Sequence, residues 1–250
     1  MSQAILITAR LKSKRLPKKL LRKIEGISMI EHLIDRLKKS KKIKKIILCT
    51  STNKQDDQLE SICKRKKIIC FRGSEDDVIE RLYFASIKYK LINIVNCTAD
   101  NPFVDPYYID KAFEYHLKKN NDFTDIPLLP WGTFSYSIKV SALKKILEIK
   151  ASKDTEYWHD YFHKTNYFKK NSYNKIEKKH QFPKLRLTVD TINDLKLIRK
   201  IFSFLYKKNK VFSLTEIIDL INKKPELRLI NSQVKQKKPK KIKLKKFSEI

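Results

Sequence analysis

Glycine and acidic residues are scarce in this 250-residue chain, and long apolar runs are absent. The longest apolar runs, such as residues 46–49 and 91–95, have the length of strands and are far too short to cross a membrane. Residues 1–8 resemble a strand and lack the pattern of a signal peptide, so we expect a cytoplasmic protein. With 41% hydrophobic and 10% aromatic residues, the chain has enough apolar material for one large α/β domain.

The cysteines and histidines lack the spacing of a metal site. The absence of a CxxC pair favours buried, reduced thiols over a redox or metal centre for Cys49, Cys63, Cys70 and Cys97. His159 and His163 are four residues apart, which places them on one face of a helix. No acidic or cysteine ligand joins them at the usual spacing, so we expect no zinc site.

Positive charge dominates the composition: 57 lysine and arginine residues outnumber 27 acids, for a formal net charge of +30. Residues 235–246 contain eight lysines and no acid, but the excess extends over the whole chain. A diffuse charge of this kind attracts a polyanion such as a nucleoside triphosphate without specifying a stable nucleic-acid partner. We predict that residues 233–250 form a mobile lysine-rich tail, which at most makes weak contact with an anionic membrane surface.

Strand-like apolar runs alternate with segments of helical period, the pattern of an α/β fold with a mostly parallel sheet. The predicted strands are residues 4–8, 46–50, 68–71, 91–97 and 185–189. Thr191 with Asp194, and Ser213 with Glu216, have the spacing of capping boxes at the start of two later helices. We expect residues 1–232 to form a single domain.

Residues 125–182 interrupt this regular order and are crowded with aromatic side chains. Such density is typical of a core, of a subunit interface or of a lid over an acceptor. We expect a mixture in which core packing has the largest share, within an insertion that serves acceptor binding and dimerisation.

A basic loop follows the first predicted strand without a gap. Its polar and cationic residues have the spacing R-x-x-S-x-R-L-P-x-K and are Arg10, Ser13, Arg15 and Lys19. Backbone N–H groups and cations that converge in one loop are suited to binding an oligophosphate. The alternative is an exposed loop of a basic chain, but lysine excess does not account for Ser13, Leu16 and Pro17.

Two aspartates come directly after predicted strands that are far apart in the sequence. Asp100 follows residues 91–97, and Asp190 follows residues 185–189. Ligands of open parallel sheets bind at the carboxyl ends of strands, so the two carboxylates could hold one Mg²⁺ while phosphate oxygens complete its shell. Taken singly, Asp190 could instead cap a helix and Asp100 could form a turn.

The loop motif and three later blocks resemble the CMP-Kdo synthetase and acylneuraminate cytidylyltransferase superfamily, and most of all its spore-coat polysaccharide biosynthesis branch. The later blocks are residues 72–85, 97–110 and 187–201. The resemblance implies a Rossmann-like, GT-A-like nucleotidyltransferase fold, a mostly parallel mixed sheet flanked by helices. It also implies CTP and a small-molecule acceptor as substrates, Mg²⁺ as cofactor and a homodimer.

The same resemblance assigns roles to individual residues. Asp100 and Asp190 would bind Mg²⁺, and the groups acting on the triphosphate during catalysis would be Arg10, Arg15 and Lys19. Further nucleotide contacts would come from Ser13, Arg72, Ser74 and Asp100. Glu75 and Asp77 are interpreted as helix-start residues, and Arg81 as either a ligand group or a salt-bridge partner.

Two departures from the family pattern concern the loop and the acceptor region. Lys18 stands where the family usually has glycine in the opening loop. Glu156 is followed by Tyr157 and Trp158, where the family's middle block often reads Glu-His. In the family this block shapes the acceptor pocket. The resemblance therefore says less about the identity of the acceptor than about any other feature.

The sequence therefore predicts a Mg-dependent cytidylyltransferase that transfers CMP from CTP to an acidic sugar or related surface-polysaccharide precursor, releasing pyrophosphate. One alternative is a glycosyltransferase on the same fold, although the region around Asp100 lacks the usual Asp-x-Asp motif. Another is a non-catalytic polyanion-binding homologue. The acceptor stays open among a nonulosonic acid, Kdo, a phosphonate and a polyol phosphate.

Overall fold

A computed structural model of the protein describes residues 2–208, 210–237 and 241–245. Its strands are β1 (Gln3–Thr8), β2 (Lys23–Ile24), β3 (Ile27–Ser28), β4 (Ile46–Ser51), β5 (Ile69–Gly73), β6 (Asn93–Thr98), β7 (Phe123–Thr124) and β8 (Tyr136–Lys139). Its α-helices are α1 (Met29–Leu37), α2 (Asp57–Arg65), α3 (Val78–Lys88), α4 (Pro106–Lys119), α5 (Val140–Ile149), α6 (His159–His163), α7 (Ile192–Leu205) and α8 (Leu214–Lys223).

Six strands form one sheet in the order β5-β4-β1-β6-β8-β7, while β2 and β3 pair with each other. β1 runs parallel to both β4 and β6, and β4 runs parallel to β5. β8 is antiparallel to its two neighbours. The prediction of a mostly parallel α/β sheet is confirmed, and the carboxyl ends of four strands meet at one edge.

The fifth predicted strand, residues 185–189, is wrong as a member of this sheet. The segment is extended, but its backbone N–H groups are used by loops: Leu187 donates to Trp131 at 2.7 Å and Val189 donates to Asp100 at 2.9 Å. Apolar alternation marked it as extended and half-buried without showing which backbone it pairs with. The consequence is functional, because this segment brings residue 190 to the edge where β6 ends.

Alternating side chains of β1 enter two cores on opposite faces of the sheet. Ile5 and Ile7 pack in the first core with α1, α2, α7 and α8. Ala4 and Leu6 pack in the second core with α3 and α5. Strands of parallel sheets are usually buried on both faces. Polar side chains therefore gather at the edge where the carboxyl ends of the strands meet.

The aromatic region contributes strongly to the second core. Phe162 stacks on Phe123 with ring centroids 4.4 Å apart, and Trp158 and Tyr161 are buried beside them. Trp131 and Tyr167 remain exposed. Core packing therefore accounts for many of these aromatic side chains, while a subunit interface in residues 125–182 stays a prediction.

Part of the lysine-rich tail contacts the domain. Ala151 donates a backbone hydrogen bond to Lys243, and Lys245 donates one to Ile149, both at 2.9 Å. Ile242 packs against the second core. Residues 238–240 and 246–250 lie outside the described residues, and tail mobility stays a prediction. In the described residues, none of the helices is both long and apolar enough to cross a membrane.

His116 on α4 is buried, with its ring nitrogens 3.1 Å from Thr124 Oγ1 and 3.3 Å from Asn93 Oδ1. Burial, reinforced by Lys139, lowers the pKa of His116 to about 4 from 6.5. At a pH between these two pKa values, the unfolded chain binds one proton more than the folded chain does. Stability from this residue is present above pH 6.5 and is lost as pH falls towards 4, by about 3 kcal/mol.

We expect His116→Gln to remove that share of the pH dependence when urea unfolding is measured between pH 7 and pH 4. The glutamine keeps an amide able to reach the same polar neighbours but carries no titrating group. Equal slopes of unfolding free energy against pH for the two proteins would contradict the assignment.

Candidate active site

The end of β1 and the end of β6 place the basic loop and Asp100 side by side, because these strands are parallel neighbours. Asp190 reaches the same place through the segment before it, where Val189 N–H and Thr188 Oγ1 donate to the Asp100 carbonyl at 2.9 and 3.4 Å. Residues 90 positions apart in sequence are thereby joined at the carboxyl edge of the sheet, where open α/β sheets bind ligands.

Lys19 lies at the centre of this site. Its Nζ donates to Asp100 Oδ2 at 2.8 Å, to Asp190 Oδ1 at 2.9 Å and to the Val189 carbonyl at 2.8 Å. Burial alone would lower the pKa of Lys19, but the two carboxylates outweigh it and raise that pKa. The ammonium therefore stays charged and holds both aspartates at one point.

The turn that positions Lys19 has a backbone conformation that glycine adopts more readily than lysine does. Lys18 has φ of 51°, in the left-handed region, just before the 3-10 turn Lys19–Leu21. Non-glycine residues adopt this region at a cost in conformational free energy. Lys18 adopts it nonetheless, so the loop keeps the backbone conformation that the family's glycine would favour. The lysine substitution thus preserves the path of the loop.

Asp190 is surrounded by cations from two segments, the basic loop and the stretch just before Asp190. Arg15 Nη2 lies 3.1 Å from Asp190 Oδ1, and Arg186 Nη2 donates to Asp190 Oδ2 at 2.9 Å. Burial favours the neutral acid, but Lys19, Arg15 and Arg186 outweigh it and lower the pKa of Asp190 to about 2. Asp190 is thus a firmly ionised carboxylate.

Helix α7 begins at Ile192, two residues after Asp190. The N-cap is Thr191, which forms the predicted capping box with Asp194. Arg186 Nε also donates to Asp194 Oδ1 at 2.8 Å, so one guanidinium ties the helix start to Asp190. The alternative in which Asp190 caps the helix is therefore wrong. Sequence reasoning missed Arg186, whose signal was its four-residue spacing from Asp190 and eight-residue spacing from Asp194.

Arg10 and Arg81 hold the turn before α3. Arg10 Nη1 donates to the Glu75 carbonyl at 2.6 Å and to Asp76 Oδ1 at 3.1 Å. Arg81 Nη1 donates to the carbonyls of Ser74 and of Glu75. The predicted helix-start role of Asp77 is confirmed, since it caps α3 by accepting from Glu80 N–H.

Arg81 is a fully buried guanidinium with an unused donor. Its Nε has no hydrogen-bond partner among the described residues. Burial, reinforced by the nearby charge of Arg10, lowers the pKa of Arg81 to about 10. Both arginines line a cavity of about 130 Å³ with Thr98, Asp100 and Trp158. A cavity of this size with two guanidiniums in its wall is suited to an anionic group.

Three further predicted contacts lie outside the Lys19 cluster. Arg72 donates to the carbonyls of Ser51 and Asn53 at 3.0 and 2.8 Å and pairs with acids of α2. Ser74 Oγ accepts from the Asp77 N–H at 3.2 Å, and Ser13 Oγ accepts from the Leu16 N–H at 3.4 Å. Each group stabilises a local turn or strand end, and nucleotide binding by these three residues stays a prediction.

The chain belongs to the cytidylyltransferase family. The family model described as "Cytidylyltransferase" matches residues 4–223. The spore coat polysaccharide biosynthesis protein SpsF of Bacillus subtilis is 30% identical over 227 residues, covering 88% of this chain and 94% of the relative. The superfamily and spore-coat branch indicated by the sequence motifs are thereby confirmed.

Solved structures share the fold. A cytidylyltransferase from Leptospira borgpetersenii superposes with a TM-score of 0.84 at 28% identity, covering 91% of this chain and 96% of that chain. A CMP:2-keto-3-deoxy-manno-octonic acid synthetase solved with CTP superposes with a TM-score of 0.62 at 14% identity, covering 82% of this chain and 100% of that chain. The Rossmann-like nucleotidyltransferase fold predicted from the sequence is confirmed.

Proposed function

We propose that the protein transfers CMP from CTP to an acidic sugar or related surface-polysaccharide precursor and releases pyrophosphate. The observation that carries this proposal is the meeting of Asp100 and Asp190 at Lys19 Nζ, beside the basic loop. Family membership supports CTP as the nucleotide, and the similarity to SpsF supports a polysaccharide precursor as the acceptor. An acidic acceptor also suits a chain with a net charge of +30.

The donor set fits Mg²⁺. The described residues contain no group of three or more acidic, histidine or cysteine side chains arranged for a metal. The carboxylates of Asp100 and Asp190 meet at Lys19 Nζ and form a donor pair. Mg²⁺ is usually bound in this way, by one or two carboxylates, substrate phosphates and water. Asp100 and Asp190 would hold the ion. When bound, Mg²⁺ supplies Lewis-acid stabilisation of charge on phosphate oxygens.

In the transfer, an acceptor oxygen forms a bond to the α-phosphorus while the bond to pyrophosphate breaks. Lys19 lies where the two carboxylates converge, so its ammonium would turn to the phosphates when a divalent cation takes that position. Arg10 and Arg15 would neutralise charge on the leaving pyrophosphate. Both already lie on the loop that begins where β1 ends, so positioning rather than covalent chemistry is the contribution of the protein.

A homodimer, a cytoplasmic location and weak membrane contact of residues 233–250 belong to the same proposal. The dimer is supported by the exposed aromatic side chains Trp131 and Tyr167 in the predicted insertion. The tail contact is supported by its lysine content alone.

The experiment incubates the full-length protein and Mg²⁺ with each of the four nucleoside triphosphates and a panel of sugar acids and polyol phosphates, and measures pyrophosphate. We expect release with CTP and one acceptor class. A parallel incubation replaces the triphosphates with nucleotide sugars; release of a nucleoside diphosphate there, without pyrophosphate from any triphosphate, would instead identify a glycosyltransferase. Asp100→Asn serves as the control for contaminating activity.

A further inference from the structure

The lysine-rich tail contacts the segment that forms one wall of the active-site cavity. That segment, residues 150–158, follows α5, and its Glu156 and Trp158 line the cavity of about 130 Å³. Arg10 and Asp100, which are assigned to the phosphates and the metal, line the same cavity. A carboxylate without a metal repels a triphosphate but accepts hydrogen bonds from hydroxyl groups. The wall that contains Glu156 therefore suits the second substrate and not the phosphates.

The first contact of the tail with this wall is at Glu156. Lys237 Nζ donates to Glu156 Oε2 at 3.4 Å and lies 5.8 Å from the centroid of the Tyr157 ring. The preceding residue, Gln236, accepts from Arg186, the arginine bound to an aspartate of the proposed metal site. An exposed ion pair contributes little by itself, so the position of Lys237 depends on how the rest of the tail is held.

The second contact lies at the other end of the segment and is made by residues 241–245. Ala151 N–H donates to the Lys243 carbonyl and Lys245 N–H donates to the Ile149 carbonyl, both at 2.9 Å. These bonds form an antiparallel bridge between the tail and the chain that leaves α5. The backbone of the tail thus holds the beginning of the wall segment.

Ile242 anchors this bridge. Its side chain packs against the second core, and the Tyr161 hydroxyl donates to the neighbouring Lys243 carbonyl at 3.3 Å. Leu244, the other apolar residue of the bridge, is 42% exposed. The burial of one isoleucine therefore supplies the apolar part of the contact, while the lysine side chains are left to the solvent side.

The wall segment is also fastened to the start of α3. Thr155 N–H donates to the Asp76 carbonyl at 3.2 Å, and Thr155 Oγ1 donates to Asp77 Oδ1 at 2.9 Å. Lys150 Nζ pairs with Asp77 as well, and the Asp76 carboxylate accepts from Arg10 at 3.1 Å. Polar contacts therefore connect the tail, the wall segment and the basic loop.

We propose that the C-terminal tail is part of the active site. Ile242 anchors the tail, its backbone holds residues 150–158 in place, and Lys237 is a positioning residue that fixes Glu156 for binding of the acceptor. A wall that is already ordered loses less conformational entropy when the acceptor binds, so its effect falls on the acceptor KM and not on kcat. The proposal rests on the proposed function, since it concerns the second substrate of that reaction.

Hydrogen–deuterium exchange of the full-length protein tests the anchor without any substrate. We expect Ile242→Asn to speed exchange in the peptide that covers residues 150–158 by about fivefold, because a half-buried isoleucine no longer holds the bond to the Ala151 amide. Leu244→Asn is the matched control, since the same change at the exposed position leaves the anchor intact. Equal exchange in all three proteins, or equal acceleration in both variants, would overturn the proposal.

Steady-state kinetics test the role of Lys237. We expect Lys237→Gln to raise the acceptor KM by about three- to fivefold, the range that one exposed ion pair supports, and to leave kcat and the CTP KM within about twofold. Lys237→Arg should restore the acceptor KM, because it keeps the charge. Lys235→Gln is the matched control, since the exposed Lys235 has no hydrogen-bond or ion-pair partner among the described residues. An unchanged acceptor KM in Lys237→Gln would overturn the positioning role.

A double-mutant cycle shows whether Lys237 acts through Glu156. In a Glu156→Gln background, Lys237→Gln should have no further effect on the acceptor KM, and additive losses would overturn the proposal. The two levels of the argument fail separately. If exchange responds as expected but no triphosphate yields pyrophosphate, the proposed function fails and the role of the tail in holding the wall stands. If pyrophosphate is released but Ile242→Asn changes neither exchange nor the acceptor KM, the role of the tail fails alone.

Discussion

Asp190→Asn is expected to lower CTP-dependent pyrophosphate release by about 10²–10³, equivalent to about 3–4 kcal/mol of transition-state stabilisation. The change removes a carboxylate whose pKa is about 2 and which Lys19, Arg15 and Arg186 hold in place. The asparagine has almost the same shape, so the loss reflects charge and not packing. A coupled pyrophosphate assay measures the effect, with CTP and the acceptor that supports pyrophosphate release in the wild type.

Asp100→Asn should show a loss of similar size, because both carboxylates meet at the same ammonium. Asp219→Asn is the control, since Asp219 is an exposed acid on α8. Its turnover should match that of the wild type. An Asp190→Asn protein that is folded and retains turnover within about threefold of the wild type would show that the aspartate pair does not carry the reaction.

Lys19→Met is expected to have two effects of opposite sign. Turnover should fall by about 10²–10³, because a cation assigned to the triphosphate is lost. Binding of Mn²⁺ without nucleotide should tighten by at least about tenfold, because Asp100 and Asp190 would then face each other without the ammonium between them. Electron paramagnetic resonance of free Mn²⁺ measures the second effect independently of activity.

Lys14→Met is the matched control for this change, since Lys14 is an exposed lysine of the same loop. It should leave both Mn²⁺ binding and turnover close to those of the wild type. If Lys19→Met binds Mn²⁺ no better than the wild type does, the ammonium and the metal do not compete for one position.

Much of the fold follows from local patterns in the sequence. The apolar runs at residues 4–8, 46–50, 68–71 and 91–97 became strands of the sheet, and both capping boxes formed where their spacing placed them. Local periodicity and capping chemistry act over a few residues, so they can be read directly from the chain. The parallel order of the strands then brought the basic loop next to Asp100.

The parts that could not be predicted depend on contacts between distant segments. Lys19 and Asp190 are 171 residues apart, and no local periodicity joins them; only their positions after predicted strands and the family motif indicate that they belong together. The alternation of residues 185–189 predicts a sheet strand, whereas Trp131 and Asp100 provide their backbone partners. The contacts of Lys243 and Lys245 with the end of α5 come from backbone groups, which a lysine-rich composition does not reveal.

The most direct test of the account is the position of Mn²⁺ in crystals grown with CTP, located by anomalous scattering. We expect a peak between the carboxylates of Asp100 and Asp190, with Lys19 Nζ moved from its present position onto the phosphates. A bound CTP with the metal elsewhere and Lys19 still paired to both aspartates would contradict it.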